Sequence, residues 1–521
     1  MNLPELIAAL SNPAAYPPGC GTVTVIQTHI SVVFLTDAWV YKIKKPVNFG
    51  FLNYETLAAR KHFCQEETRL NRRLAPSIYV GTVPISEDAS GLHVEGTGTP
   101  VEWAVKMRRL PDSATLEQRL SRGDLTEAEL TGLARRLAEF HRLAESSPRI
   151  AEYARFSTVA GNARENFQQS QAQVDQIVPR PLFERLSALS EAWLGELEPQ
   201  IEDRAHQGIP RDTHGDLRLE HIYYFPDASP PEDWIIIDCI EFHERFRYAD
   251  PLADLAFLMM DLDSRGRFDL AEFLKAEYFK AAGEANCDRL LTFYIAYRAI
   301  VRAKVEGLTA AESEIPEALR SESRQRAGRH WRLALSLLEV PDRRPGLLLI
   351  GGLPGTGKST LARSLAEIAG FEVIRSDVVR KELAAQTPGI DLYTSEFTQK
   401  TFAECERRAR ILLEQGKRVI VDATFPSEAR RERFFQLARD CGVPGLMLLC
   451  EADPEVIQTR LAQRVNDASD ADWAIYLKIR DAWQPPSPAQ LRWIHRLNSN
   501  DARAALHSAQ QLLRTAGLLS A

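Results

Sequence analysis

The feature that most constrains the fold is a glycine-rich segment at residues 352–359, with the order Gly-Leu-Pro-Gly-Thr-Gly-Lys-Ser. An apolar run at 347–350 precedes it, and residues 360–367 follow with a helical pattern. A buried strand, a glycine-rich turn and a helix in this order are typical of a phosphate-binding loop. The glycines allow backbone N–H groups to surround a phosphate, and the helix N-terminus adds partial positive charge. The segment therefore predicts that the chain binds a nucleoside triphosphate.

The residues of this loop have different expected roles. Lys358 is expected to bridge the β- and γ-phosphates, and the hydroxyl of Ser359 is expected to bind Mg²⁺. ATP and Mg²⁺ are therefore the predicted cofactors. The other expected contacts to the nucleotide come from Gly352, Pro354, Gly355, Thr356, Gly357 and Thr360.

Composition restricts the class of protein. The chain has 521 residues, of which 45% are hydrophobic and 26% charged, as in a soluble globular protein of two to four domains. Its net charge of −7 argues against a surface that coats nucleic acid, although not against a local basic groove. The scattered cysteines fit reduced cytosolic thiols better than a zinc site. Because the sequence shows no signal-peptide pattern and no long apolar run, we expect a cytoplasmic protein without a membrane segment.

A linker divides the sequence into two predicted domains, 1–340 and 341–521. Residues 340–346 (Val-Pro-Asp-Arg-Arg-Pro-Gly) lie between a helical pattern and the strand before the phosphate loop. Residues after 125 are mostly helical. Before them, β-branched runs predict a small antiparallel sheet with strands near 22–26, 31–35, 39–44 and 101–107. The predicted order is a small β lobe, a helical lobe and an α/β domain with a mainly parallel sheet.

A second group of candidate site residues lies in the first portion. The segment His-Gly-Asp-Leu at 214–217 contains Asp216, and Asp238 follows the apolar run 235–237. Phosphoryl transfer from ATP needs one carboxylate to orient the acceptor hydroxyl and another to hold Mg²⁺. Each segment alone is a weak signal, because a His-Gly-Asp triplet is more often a turn, and the hypothesis depends on the two together with the strands and helix predicted upstream.

Residues 20–335 resemble the aminoglycoside phosphotransferase and choline kinase group, which has a protein-kinase-like α+β fold. The resemblance rests on residues 214–217 and on Asp238 in Ile-Ile-Asp-Cys-Ile-Glu-Phe. It implies that Asp216 is the base or hydroxyl-orienting residue and that Asp238 binds Mg²⁺. It also implies that Lys42 contacts the nucleotide phosphates with Glu67 as its helix partner. Lys44 lies on the same face of the strand as Lys42, so either lysine fits this role.

One residue departs from the pattern of that group. The group has an asparagine five residues after the catalytic aspartate as a second Mg²⁺ ligand, and this chain has His221. A neutral imidazole can bind a metal, but it suits softer ions better than Mg²⁺. Three interpretations stay open: Mg²⁺ held mainly by Asp238, weak turnover, or a lobe that binds nucleotide as a regulator.

Residues after the phosphate loop indicate which reaction it serves. A second strand is predicted to end at Asp377, with Arg380 one helical turn later, and a third ends at Asp422. The carboxyl ends of parallel strands share one edge of a sheet, where ligands bind. We expect Asp377 to accept a proton from a hydroxyl, Arg380 to bind a substrate anion and Asp422 to bind Mg²⁺ through water.

A helix predicted near 455–465 adds two further candidates. Arg460 and Arg464 lie four residues apart on one face of it. In small-molecule and polynucleotide kinases, arginines in such a place form a lid over the transferred phosphate. Exposed surface arginines are the alternative.

Residues 346–500 resemble a branch of P-loop kinases close to the 5′-polynucleotide kinase, gluconate kinase and zeta-toxin groups. The whole arrangement is similar to bacterial fusions in which a phosphotransferase-like lobe precedes such a kinase. The resemblance implies an ATP-dependent kinase whose acceptor is the hydroxyl of a small molecule or the 5′-hydroxyl of a nucleotide or polynucleotide. A nucleic acid is not favoured, because no base-stacking aromatic platform is evident.

Two alternatives belong to other functional classes. One is a nucleotide-dependent regulator with a slow ATPase activity. The other is an aminoglycoside-modifying kinase, whose acidic pocket would draw on Glu241, Glu244, Asp261 and Asp263. The sequence leaves open both acceptors, communication between the sites and the oligomeric state.

Overall fold

The computed structural model describes residues 2–50, 52–89, 91–385, 394–463 and 471–520. The chain divides into two compact units. The first comprises Met1–Ala160, Glu198–Leu262 and Phe268–Leu291, and the second comprises Gly161–Leu197, Asp263–Arg267 and Thr292–Ala521. The linker predicted near residue 340 lies inside the second unit, so the domain boundary proposed there stays a prediction.

The first unit contains a curled antiparallel sheet. Its strands are β1 (Thr24–Gln27), β2 (Ser31–Leu35), β3 (Trp39–Lys44), β4 (Tyr79–Asp88), β5 (Gly91–Val94) and β6 (Thr99–Arg108), in the order β1-β2-β3-β6-β4-β5. Alternate residues of β2 and β3 bury Val32, Phe34, Tyr41 and Ile43 in one core, as the period of two requires. The predicted antiparallel sheet is confirmed.

Helices dominate the rest of residues 1–340. They are α1 (Leu3–Leu10), α2 (Leu57–Asn71), α3 (Leu116–Arg122), α4 (Glu127–Leu143), α5 (Pro148–Tyr153), α6 (Phe156–Gln169), α7 (Arg180–His206), α8 (Pro251–Ser264), α9 (Phe268–Ala282), α10 (Asp288–Ala311) and α11 (Glu317–Leu338). Four short strands lie between α7 and α8: β7 (Arg211–Asp212), β8 (Ile222–Tyr224), β9 (Trp234–Ile236) and β10 (Tyr248–Ala249). The segments with the candidate carboxylates Asp216 and Asp238 connect these strands.

The second unit contains a parallel sheet. Its strands are β11 (Gly346–Gly351), β12 (Glu372–Arg375), β13 (Arg418–Asp422), β14 (Gly445–Glu451) and β15 (Ile494–Asn498), in the order β12-β13-β11-β14-β15. All four strand pairs are parallel. The helices that follow α11 are α12 (Lys358–Ala369), α13 (Ser376–Ala385), α14 (Ser395–Glu414), α15 (Glu428–Cys441), α16 (Pro454–Ala462), α17 (Trp473–Asp481), α18 (Pro488–Leu491) and α19 (Ala502–Thr515).

The central strand β11 is buried on both faces. Leu347 and Leu349 belong to the core that includes residues of α14 and α15, while Leu348 and Ile350 belong to the core with α12 and α19. Helices on both faces of a parallel sheet are the expected packing of such a strand. The predicted α/β domain is confirmed.

Two element ends differ from the sequence-based expectation. β12 ends at Arg375, so Asp377 lies in the first turn of α13 and not at the end of the strand. The helix predicted near 455–465 is α16, which ends at Ala462, and Arg464 lies outside the described residues. No helix of the described ranges is long and apolar enough to cross a bilayer. All seven cysteines are free thiols.

Candidate functional site

The phosphate loop follows β11 as a tightly packed turn. Gly352, Gly355 and Gly357 have φ values of 137°, 82° and 87°, which favour glycine. A Cβ at Gly352 would lie 2.4 Å from the carbonyl oxygen of Cys450, and one at Gly355 would lie 2.8 Å from a methyl carbon of Ile457. The turn therefore accepts only glycine at these positions. It leads directly into the N-terminus of α12 at Lys358.

Polar side chains meet at the edge of the sheet beside this loop. Lys358 Nζ donates to the carbonyl oxygen of Leu353 at 2.8 Å, and Ser359 Oγ donates to Asp422 Oδ2 at 2.6 Å. Asp422 ends β13, where it pairs in register with Ile350 of β11. It is 5% exposed, and burial raises the pKa of its carboxyl group despite the nearby lysine. The parallel register thus brings the two predicted Mg²⁺ donors together.

This donor pair fits a magnesium ion. Hydroxyl and carboxylate oxygens are the ligands that Mg²⁺ prefers, and nucleotide sites commonly use one or two protein carboxylates together with substrate phosphates. A nearby cation would also stabilise the ionised form of a carboxylate that burial disfavours. Ser359 and Asp422 are therefore suited to hold the ion.

The candidate base and arginine lie at the same edge. Asp377 is in the first turn of α13, with a side chain that is 34% exposed, and Nη1 of Arg380 lies 3.7 Å from its Oδ1. At the end of β12, Arg375 pairs in register with Asp422, and its Nε lies 3.4 Å from Oδ2 of that carboxylate. The structure thus brings Asp377, Arg380 and Asp422 to one side of the sheet.

Arg460 lies beside the phosphate loop. Its Nη2 donates to the carbonyl oxygens of Ser499 and Asn500 at 2.9 and 2.8 Å. Its Nη1 would be 3.5 Å from a Cβ at Gly357. Ser499 Oγ in turn donates to the carbonyl oxygen of Thr356 at 2.7 Å. The guanidinium is held against the loop, and a role over the transferred phosphate stays a prediction.

The segment after β13 holds two residues that the sequence analysis missed. Arg430, in the first turn of α15, lies with its guanidinium carbon 4.4 Å from the ring centre of Phe402. Phe425 has a φ of 50°, a strained conformation for a bulky residue. The fully buried Arg431 holds it there by donating from Nη1 to the Phe425 carbonyl at 3.0 Å. This segment is therefore fixed, and strain of this kind is typical of functional loops.

In the first unit, two lysines of β3 share one buried acidic cluster. Lys42 Nζ lies 2.6 Å from Oδ1 of Asp238 and 3.0 Å from Oε1 of Glu67. Lys44 pairs with Glu67 and with Glu241. The side chain of Lys44 is 0% exposed and that of Lys42 is 14% exposed. Although burial disfavours the charged form, Asp238 and Glu67 raise the pKa of Lys42 above its usual value.

His221 lies between the two candidate carboxylates. Its Nδ1 is 2.9 Å from the carbonyl oxygen of Asp216, and its Nε2 is 3.7 Å from Oδ2 of Asp238. Asp238 has a φ of 64°, which is uncommon outside glycine, and its carboxylate lies near both Lys42 and His221. Burial opposes ionisation, but Lys42 and His221 hold the pKa of Asp238 below its usual range.

This geometry fits a divalent cation. A carbonyl oxygen only accepts, so Nδ1 of His221 carries a proton. Nε2 lies 3.7 Å from Oδ2 of Asp238 and 3.6 Å from Oε1 of Glu220, and in a neutral ring its lone pair would be available to an ion at this position. A histidine ligand that donates its other ring N–H to a carbonyl is a common metal-site arrangement. His221 and Asp238 are therefore suited to share an ion.

Asp254 fixes the backbone that carries Asp216. It is fully buried, and it accepts from the backbone N–H groups of His214 and Gly215 at 2.6 and 2.8 Å. Its carboxylate also lies 3.3 Å from Nε2 of His141. Despite burial, these contacts hold the pKa of Asp254 below its usual range. These contacts give Asp254 a structural role in the first unit.

Comparison with known proteins gives two results for the second unit. Residues 347–486 match a family model described as an AAA domain. The chain is also 28% identical over 180 residues to an adenylyl-sulfate kinase of Myxococcus xanthus. These aligned residues cover 34% of this chain and 94% of that protein. Residues 347–486 are therefore a P-loop domain that is similar to that of a kinase.

Relatives also cover most of the chain. "Uncharacterized protein Rv2004c" of Mycobacterium tuberculosis is 35% identical over 457 residues, 86% of this chain and 88% of that protein. A protein of Mycobacterium bovis matches with the same values. The chain belongs to the family of these mycobacterial proteins. A solved gluconokinase from Sinorhizobium meliloti has 17% identity and a TM-score of 0.27, over 34% of this chain and 99% of that one.

In the first unit, the contacts of His214 fix its neutral state. Its Nε2 donates to the carbonyl oxygen of Ile237 at 2.9 Å, and its Nδ1 accepts from the backbone N–H of Asp216 at 3.3 Å. The ring is fully buried, and this burial lowers its pKa to about 4. Asp254, Asp216 and His221 are the charged or titratable groups that face it.

We expect the stability of the first unit to fall between about pH 6.5 and pH 4. Over this range the unfolded chain binds a proton at His214 and the folded chain does not, so the full stability is present above pH 6.5. The loss amounts to about 3 kcal/mol in the unfolding free energy. Asp254 does not contribute in this window, because a lowered carboxyl pKa is felt only below the unfolded value of 3.8.

Urea unfolding at pH 7, 5.5 and 4.5 measures this change. The His214→Gln chain is the matched control, because glutamine keeps an N–H donor and does not titrate. Between pH 7 and pH 4.5, the unfolding free energy of the His214→Gln chain is expected to fall less than that of the wild type, because the contribution of His214 is missing. An equal pH dependence of the unfolding free energy in both chains would contradict the assignment.

Proposed function

We propose that the chain is an ATP-dependent phosphotransferase with two nucleotide sites. The observation that carries the proposal is the 2.6 Å hydrogen bond between Ser359 and Asp422, at the same strand edge as the pair Asp377 and Arg380. The first pair suits the ion that accompanies ATP, and the second suits an acceptor hydroxyl. A nucleotide-driven motor or switch has no need of the second pair.

In the second unit, different groups of the chain bind the phosphates, accept the proton and orient the acceptor. The loop N–H groups and Lys358 hold the phosphates, which limits the positions that the γ-phosphate can take. Asp377 accepts the proton of the acceptor hydroxyl, and Arg380 lies close enough to orient the same substrate. When bound, Mg²⁺ at Ser359 and Asp422 neutralises charge on the phosphate oxygens.

We propose a small-molecule alcohol as the acceptor of this unit. Similarity to an adenylyl-sulfate kinase over most of that protein supports a small molecule over a polynucleotide. The similarity does not identify the molecule, since 28% identity allows a different acceptor pocket.

The first unit is proposed to be a protein-kinase-like site for a second nucleotide. Lys42 is the nucleotide lysine, because it faces Asp238 and is partly exposed, whereas Lys44 is enclosed. Asp216 is the hydroxyl-orienting carboxylate, and Asp238 with His221 holds the ion. ATP supplies the phosphate in this unit as in the other.

The aminoglycoside alternative receives little support from the acidic residues. Glu241 is occupied by Lys44 and by the hydroxyl of Tyr54, which donates to it at 2.8 Å. Asp261 accepts from the backbone N–H of Leu219 at 3.0 Å. Carboxylates that satisfy internal partners are poorly available to a polycationic substrate. A regulatory role is the stronger second candidate, since His221 stands where a better Mg²⁺ ligand would be expected.

Single-site variants of the full chain test the proposal. The wild type, Lys358→Ala, Asp238→Asn and the double variant are incubated with γ-labelled ATP and a metabolite pool. We expect Lys358→Ala to remove label transfer to one set of acceptors, because the loop loses the cation that holds the transferred phosphate. Undiminished transfer by the double variant would contradict the proposal. Loss of ATP binding without loss of transfer in Asp238→Asn would favour the regulator.

A further inference from the structure

We infer that the ion of the first unit is a first-row transition-metal ion, bound in preference to Mg²⁺, and that His221 sets this preference. The inference rests on the nucleotide site proposed for the first unit and adds the chemical class of its ion. It depends on how the ring of His221 is held and on which oxygen of Asp238 faces it.

Strand pairing holds His221 and Asp238 side by side. His221 directly precedes β8, and Asp238 lies two residues after the end of β9. The two strands are antiparallel, with Ile222 opposite Ile236, and the backbone N–H of Ile237 donates to the carbonyl oxygen of His221 at 3.0 Å. The separation of the two side chains is therefore set by the backbone of a β-hairpin.

The ring of His221 is oriented by the turn that contains it. Its Nδ1 lies 2.9 Å from the carbonyl oxygen of Asp216, and its side chain is only 12% exposed. Because Nδ1 donates to that carbonyl, Nε2 is the ring atom that remains to bind a metal. Nε2 lies on the side of Asp238, 3.7 Å from its Oδ2.

The two oxygens of Asp238 have different neighbours. Oδ1 lies 2.6 Å from Nζ of Lys42, whereas Oδ2 is the oxygen near Nε2 of His221. Glu220 also places Oε1 at 3.6 Å from Nε2, but its carboxylate forms an ion pair with Arg218. An ion between Nε2 and Oδ2 therefore receives one nitrogen and one oxygen donor, and it does not displace the lysine.

This donor pair needs further ligands. Within the part of the chain that the structure describes, no group of three or more His, Cys, Asp or Glu side chains could hold a metal ion. The other ligands must come from phosphate oxygens and water, as is usual for an ion that accompanies a nucleotide. The ion is therefore expected to bind together with the nucleotide and only weakly without it.

The nitrogen donor decides the class of ion. Mg²⁺ prefers oxygen ligands, whereas imidazole suits first-row transition ions, which accept nitrogen and oxygen donors together. The second unit offers the contrast, because its candidate donors Ser359 Oγ and Asp422 Oδ2 are both oxygens. The two nucleotide sites of this chain are therefore selective for different ions.

Binding of Mn²⁺ tests the inference without turnover. All chains carry Lys358→Ala, so that the nucleotide and its ion bind at the first unit. Mn²⁺ is titrated with and without β,γ-methylene ATP, its free concentration is followed by electron paramagnetic resonance, and Mg²⁺ is added as the competitor. We expect His221→Asn, which replaces the nitrogen donor by an amide oxygen, to weaken Mn²⁺ binding by about tenfold or more, since even the outer partners of metal ligands contribute that much. Mg²⁺ binding should not weaken.

Pulsed electron paramagnetic resonance of the bound Mn²⁺ gives a second measurement, because a coordinated imidazole couples its nitrogen nucleus to the metal. We expect this coupling in the parent chain and its loss in His221→Asn. His206→Asn makes the same substitution at a 63% exposed histidine of the first unit, and this matched control should keep both the affinity and the coupling.

The possible results separate the ion from the nucleotide site. Equal Mn²⁺ binding in His221→Asn and the parent, tighter binding in His221→Asn, or bound Mn²⁺ without nitrogen coupling would overturn the inference and leave the nucleotide site intact. Binding that depends on His221 but not on the nucleotide analogue would support the class of ion and count against the nucleotide site. Nitrogen coupling in a chain that transfers no label from ATP with either ion would also support it, and would favour the regulator over the kinase.

Discussion

Replacing Asp377 by asparagine is expected to lower the rate of phosphoryl transfer by about 10²–10⁴-fold, the contribution typical of a positioned proton acceptor. Asparagine has the same shape and keeps a contact to Arg380, but its amide does not accept the proton of an alcohol. ATP affinity should not change, because the nucleotide is held by the loop at 352–359 and by Lys358. The carboxylate is one-third exposed, so its replacement is not expected to destabilise the fold.

Single-turnover transfer and ATP titration of the full chain separate these two effects. Asp481→Asn, at a 68% exposed position of α17, is the control for loss of a surface carboxylate. Lys358→Ala is the opposite case, in which ATP affinity itself falls. Wild-type transfer by Asp377→Asn would remove the residue from the mechanism, and loss of ATP binding would give it a different role.

Much of the candidate site in the second unit was predictable from sequence, because parallel strands in register bring their carboxyl ends to one edge. Asp422 ends β13 as expected and reaches Ser359 of the neighbouring loop. Asp377 falls two residues after β12 and not at its end, but the first turn of α13 begins at the same edge. The motif and the strand pattern were sufficient for this much.

Arg430 was not predictable for a physical reason. No periodicity or motif marks an arginine in the first turn of a helix, a place where acidic residues are usual. Its guanidinium lies over the ring of Phe402 in α14, and Arg431 holds the strained backbone at Phe425 in the same segment from inside the core. These are contacts between elements, and the order of residues alone does not reveal them.

The choice between Lys42 and Lys44 has a similar origin. The two lysines are two residues apart in β3, so both face the same side of the sheet. What separates them is Glu241, which lies 197 residues from Lys44 in the sequence and pairs with it in the core. The turn after Asp238 brings that carboxylate into place, and no local pattern in β3 contains this information.

This difference predicts opposite results for two matched variants. Lys44→Met leaves Glu67 and Glu241 buried without their shared cation, and we expect it to destabilise the first unit by about 3–5 kcal/mol. Lys42→Met should destabilise it less, because Lys42 is partly exposed and its partner Asp238 has a 41% exposed side chain. Its main effect should be loss of ATP binding at the first unit.

Urea unfolding and ATP titration measure the two effects, with both variants made in a Lys358→Ala background so that the second nucleotide site does not contribute. Adding Glu241→Gln to Lys44→Met removes one of the uncompensated charges, and it should recover part of the lost stability. A stable Lys44→Met chain that no longer binds ATP would reverse the assignment and make Lys44 the nucleotide lysine. The same reversal would be required if Lys42→Met proved to be the strongly destabilised variant.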